Sequence, residues 1–250
     1  MPPLAIHLRF AQETAAAVGL PLLGRHLGAF FLGSTAPDIR NNIGWPRERT
    51  HFTTLAEAGD ARGLERMFLV HPHLAEARSV GPEVAAFVAG YRTHLVADDA
   101  WIRLVYRPYF GQESSLGGSA MANVLDRALQ FEMDNGEREE RGRVAAWVEL
   151  LQELDPQLDI GFIGADDLAR WRETVLVSMA REPSWERFRS LAEGVLVPSG
   201  KVELPALTRF LDELPGSLGE VHHHVAGETI ACFRQEALAG SLAATASYLA

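Results

Sequence analysis

Residues Val84 to Asp98, VAAFVAGYRTHLVAD, form an unbroken helical pattern that carries two metal-ligating side chains in the middle of an apolar run. His94 and Asp98 are four apart and stand one above the other on a single helix face. An ionised carboxylate among Phe87, Val88, Leu95 and Val96 is costly unless it is paired or bound to a cation. Such a helix has to be central, and other elements have to bring the partners. Gly90, one turn before His94, has no side chain and would admit a second backbone or a ligand there. Upstream, Asp38 in LGSTAPDIR and His51 in RTHFTTL complete a set of two imidazoles and two carboxylates. That donor set suits Zn²⁺ or another first-row divalent ion. The bland alternative is a buried His-Asp hydrogen bond inside a helix bundle.

The remaining periodicity predicts an all-α fold. Leu4, His7, Leu8, Ala11, Ala15 and Val18 recur at helical spacing over 4–18, with His7 on the inward face. A second helix is expected at 22–32, stopped by Gly33, with Asp38 in an irregular turn after Pro37. His51 is expected to open a short helix, and another covers 60–70. Gly81-Pro82 starts the central helix, which should run to about Tyr106. Further helices are expected at 120–134, 139–154, 165–181, 184–194, 204–213 and 219–248. Gly111 to Ser119 is a glycine- and serine-rich loop, a candidate mobile lid. No segment longer than four residues alternates with period two. The 250 residues suffice for one large domain, taken as 1–250.

Composition excludes several function classes. A net charge of −10 argues against a nucleic-acid role, since that affinity comes from clustered cations. Lys201 is the lone lysine among 23 basic residues, a bias that carries no functional message. No segment reaches the roughly 18 apolar residues of a membrane span, and the N-terminus lacks a signal-peptide pattern, so a cytoplasmic location is expected. Cys232, alone in a helical apolar pattern, is expected to be a buried thiol.

The motifs resemble the zinc-dependent phospholipase C family, whose fold is shared with S1/P1-type nucleases. They are His7 in the first helix, Leu32-Gly33-Ser34-Thr35-Ala36-Pro37-Asp38, Thr50-His51-Phe52, and Gly90-Tyr91-Arg92-Thr93-His94-Leu95-Val96-Ala97-Asp98, in the family's order over about 110 residues. The resemblance implies that Asp38, His51, His94 and Asp98 bind one metal ion, and that Asp98 bridges to a second held by His7. The chain departs from the pattern at its Met-Pro-Pro start, where secreted members use their mature N-terminal residue as a ligand. Leu104 also stands where the family has a further histidine, and the next HxxxE pair does not follow at the family's interval. One or two ions are therefore expected.

Substitutes for those ligands are His224 and Glu228, an HxxxE pair late in the chain. Of His222, His223 and His224, at most two rings can point inward. Asp99 should face away from Asp98, and Glu132 and Asp134 read as helix-surface charges. His26 reads as a packed residue, and His71 and His73 as members of a surface turn. Arg40 and Arg49 flank the ligand segments and could hold an anionic substrate, or could be solvated loop charges. Trp45 and Trp101 could wall a substrate cleft, with Trp101 equally readable as core. The expectation is a metal-dependent hydrolase of a phosphoester or similar small molecule, with Asp38 as general base. The alternatives are a metal-dependent lyase, cyclase or isomerase, and a metal-stabilised helical protein without turnover.

Overall fold

A computed structural model of the chain describes residues 3–59, 62–192 and 204–250. Among these the regular structure is entirely helical. Helix α1 (Leu4–Val18) ends where Gly19 takes a φ of 63° and returns its N–H to the Ala15 carbonyl, a left-handed stop suited to glycine. The expected second helix is two, α2 (Pro21–Arg25) and α3 (Leu27–Thr35), broken at His26, and α3 runs on past Gly33. A tight 3₁₀ turn, Ala36–Ile39, carries Pro37 and Asp38 into α4 (Arg40–Ile43). His51 closes α5 (Glu48–His51) instead of opening a helix, because Phe52 adopts a φ of 60°. That is an uncommon conformation for a bulky residue.

Next come α6 (Arg62–Val70) and the central α7 (Pro82–Trp101). The helical path continues in wider π turns over Ile102–Phe110, where Pro108 has no N–H to give an α-type ladder. Beyond the loop lie α8 (Ala120–Arg138), α9 (Arg141–Glu153), α10 (Ala165–Ala180) and α11 (Trp185–Leu191). The last are α12 (Leu204–Asp212), α13 (Leu218–His224) and α14 (Gly227–Leu249), the final two replacing one expected helix. Residues 60, 61, 193 and 194, at the ends of two expected helices, and Lys201 lie outside the described residues. No described helix is long and apolar enough to cross a membrane.

Helix α7 is the axis of the fold, and two glycines decide how closely α3 crosses it. A Cβ built on Gly33 would lie 2.0 Å from the Phe87 carbonyl oxygen, and one on Gly90 would lie 2.0 Å from the Phe30 carbonyl oxygen. The two backbones therefore touch, which only residues without side chains permit. One apolar cluster, including Phe30, Phe31, Phe87, Tyr91 and Trp147, surrounds this crossing. A second, around Phe10, Trp101, Phe110 and Phe233, gathers toward the C-terminal end of α7.

Three expectations about single residues and one about a loop are corrected. Trp101 is fully buried in the second cluster, edge-on to Phe233 and donating Nε1–H to Asp126 at 3.0 Å, so it walls no cleft. Asp134 is buried, accepting the Ala5 N–H at 2.9 Å in the first turn of α1 and pairing with Arg138. It thus satisfies a donor that the start of a helix leaves without a partner. Cys232 is exposed. The loop at 111–119 lines neither cavity that borders the metal-type cluster described below, and its Leu116 packs on the second apolar cluster.

Candidate metal centre

The close crossing of α3 and α7 brings the backbone of Ser34 to the side of His94. The Ser34 carbonyl accepts from His94 Nδ1 at 2.9 Å. A carbonyl can only accept, so the proton sits on Nδ1 and the Nε2 lone pair is turned into the cluster. Tyr91, on the same helix, donates its hydroxyl to the Thr50 carbonyl. This ties down the short helix α5 just before its last residue, His51. The His51 ring is then oriented by Thr50 Oγ1, 3.0 Å from Nδ1, and presents Nε2 to His94 Nε2 at 3.3 Å. Two atoms each 2.0–2.1 Å from a tetrahedral ion stand about 3.3 Å apart. His7 enters from α1, its ring stacked on His94 with centroids 3.7 Å apart.

The carboxylates complete two overlapping groups, His7–His94–Asp98 and Asp38–His51–His94, each with ligand atoms within 4.8 Å of one another. Asp98 Oδ2 is 3.0 Å from His51 Nε2 and 3.8 Å from His94 Nε2, while Oδ1 is 3.7 Å from His7 Nε2. Asp38 Oδ1 lies 3.9 Å from His51 Nε2. These are His/Asp groups that could hold a metal ion.

A hydrogen-bonded His-Asp core accounts for only part of this geometry. His51 Nε2–H can donate to Asp98 Oδ2, and Arg47 donates to the same oxygen at 3.1 Å. Both nitrogens of His7, Oδ1 of Asp38 and Oδ1 of Asp98 remain buried without a hydrogen-bond partner. Buried polar atoms are nearly always satisfied, and here the orphans include two carboxylate oxygens and the one lone-pair nitrogen of neutral His7. In each group a cation could take the lone pairs that hydrogen bonds leave unused, while the N–H of neutral His7 still calls for an acceptor.

Burial pushes the His7 imidazole down to about 3 from an ordinary 6.5, with neighbouring His94 adding to the effect. Burial likewise pushes His94 down to about 3 and lowers His51. Burial opposes ionisation of Asp98 too, but His94, the His51 hydrogen bond and Arg47 outweigh it and hold the carboxyl well below its usual range. The cluster is therefore three neutral imidazoles around a carboxylate, the protonation state that metal binding requires.

These shifts predict an acid-sensitive apo protein. Below 6.5 the unfolded chain takes up protons that folded His7 and His94 refuse until the pH nears 3, so stability falls as pH drops through that window. Between pH 7 and pH 5.5 the two histidines should cost roughly 2–3 kcal/mol, with His51 adding to the loss. Asp98 contributes only below its ordinary 3.8. Urea unfolding of chelator-treated protein at the two pH values measures this; equal stability would mean that the imidazoles are solvated.

The other expected site residues are dispersed. Asp99 turns away from Asp98 and accepts from the Gly59 N–H. His224 Nε2 meets the Tyr109 carbonyl at 2.6 Å, its ring beside Phe110, and Glu228 is exposed, so the HxxxE pair does not join the cluster. His222 pairs with Glu132 at the surface. His71 stacks on Phe162, and His73 lies against the Ile160 carbonyl. Arg49 is exposed and stacks on Trp45, 3.5 Å from the ring centroid, away from the ligands. Arg40 lines a cavity of about 300 Å³ beside Asp38, together with Arg127 and Asn41.

Arg47 is the residue that sequence reasoning passed over. It precedes α5 and accepts the His51 N–H on its carbonyl at 2.8 Å. The i, i+4 spacing to His51 was the available signal, because it puts both side chains on one face. No family model, curated protein or solved structure matches the chain.

Proposed function

We propose that the chain is a metal-dependent hydrolase of phosphoesters or similar small molecules, a divergent relative of the zinc-dependent phospholipase C family that its motifs resemble. The observation that carries this reading is the buried meeting of five lone-pair donors, His7, Asp38, His51, His94 and Asp98, whose hydrogen-bonding capacity the protein leaves partly unused. Zinc is the proposed ion, since imidazole and carboxylate donors at near-tetrahedral spacing suit it. His7, Asp38, His51, His94 and Asp98 would hold the cation, which would supply Lewis-acid chemistry to a water and a phosphoryl oxygen. Asp98 turns one oxygen toward His7 and the other toward His51, so it would help to hold an ion beside either ring.

Asp38 is the proposed general base. Its side chain is 13% exposed against 1% for Asp98, so it is the carboxylate that a water and a substrate can reach. Arg40 and Arg127, in the cavity beside it, supply positive charge for an anionic substrate. The test is metal analysis of the purified protein with assays on chromogenic phosphodiesters. We expect one or two ions per chain, turnover lost on chelation, and recovery with Zn²⁺. Stoichiometric metal without turnover would overturn the hydrolase and favour another metal-dependent reaction; absence of metal after loading would overturn the centre itself.

A further inference from the structure

A cavity of about 710 Å³ lies between α7, α14 and the start of α6 and shares no lining residue with the pocket beside Asp38. Ala239, Gly240 and Ala243 of α14 form one wall, and their small side chains are what leave the space open. At one end are His51 and Arg47, and along α7 the lining includes Arg92. Arg92 precedes His94 by two residues and so points to nearly the opposite side of α7. Two rings flank it: the guanidinium lies 4.8 Å from the Phe68 centroid and 5.4 Å from that of Tyr248.

The other charges of this cavity are differently placed. Arg103 is paired with Glu236, and Asp99 accepts from Gly59. Among the described residues no carboxylate forms an ion pair with Arg92, and burial is the main influence on its guanidinium. Arg92 Nε and the neighbouring Tyr248 hydroxyl are both buried without a hydrogen-bond partner. A half-buried cation at the wall of a largely apolar cavity, with its Nε unused, calls for an anion.

We infer that this cavity is a binding site for a small organic anion with a slim apolar body, its anionic group on Arg92 and its body along the small residues of α14. The site does not depend on the hydrolase reading. A paired-probe experiment tests it on the full chain: fluorescence titration with anilinonaphthalene sulfonate, which is anionic, and with N-phenylnaphthylamine, which has the same rings without charge. We expect saturable binding of the sulfonate to wild type, before and after chelation. In Arg92→Leu its affinity should fall on the order of tenfold or more, the scale of one charge-assisted hydrogen bond. The neutral dye should be unaffected, and Arg92→Lys should keep part of the sulfonate affinity.

Ala243→Trp provides a second line, because Ala243 is exposed and lines the cavity, so the indole fills the space without entering the core. It should weaken both dyes. Sulfonate binding that survives Arg92→Leu unchanged, or equal loss of both dyes in that variant, would overturn the assignment. So would wild-type affinity for both dyes in Ala243→Trp.

Discussion

Asp98→Asn is expected to yield a folded, metal-poor and inactive protein. The amide keeps the size of the side chain and part of its hydrogen bonding to His51 and Arg47, but deletes the negative charge that faces three imidazoles. If the residue holds an ion, bound metal should fall far below one equivalent, and turnover of phosphodiesters should drop roughly thousandfold or more. That is the scale of the several kcal/mol of charge stabilisation a catalytic cation supplies. Some stability should also be lost, since Arg47, only 11% exposed, would lose the negative charge of Asp98. Circular dichroism separates the two effects by reporting the fraction folded. Metal stoichiometry and activity equal to wild type in the folded variant would identify Asp98 as the centre of a hydrogen-bonded core and sink the metal reading.

Among the described glycines, Gly90→Ala and Gly33→Ala should be the most destabilising alanine substitutions. At Gly90 the added Cβ would stand 2.0 Å from the Phe30 carbonyl oxygen and 3.0 Å from the Ser34 amide, both backbone atoms that cannot rotate away. Helices α3 and α7 would have to separate, at a cost above about 3 kcal/mol, or roughly 10 °C of melting temperature for a chain of this size. The same separation would withdraw the Ser34 carbonyl from His94 Nδ1, so the surviving folded fraction should also bind metal more weakly. Gly136→Ala is the control. It lies in α8 with nothing within 4 Å of its Cβ, and should gain about 0.5–1 kcal/mol. A melting temperature for Gly90→Ala within a degree of wild type would show that the helices do not cross in contact.

The sequence alone determined the helical class, because three- and four-residue spacing of apolar side chains is a local property that burial merely reads out. It also marked His94 and Asp98, since two polar groups in an apolar helical run require a partner wherever the helix lies. The freedom of approach at Gly90 was legible for the same reason. The role of Gly33 was not: in the chain it reads as a helix stop, and only the crossing with α7 makes it a contact point. Where each polar side chain ended up was likewise a tertiary decision. Asp134 looks like a surface charge until α1 brings the Ala5 N–H to it, and Trp101 looks like a cleft wall until Phe233, 132 positions later, covers it. Arg47 joined the cluster because the αL turn at Phe52 and the Tyr91 bond to Thr50 fix the pitch of α5, contacts made across 41 positions that no local pattern encodes. The tautomer of His94 was decided the same way, by a carbonyl 60 residues upstream, because the ring carries its proton on whichever nitrogen the packing gives an acceptor.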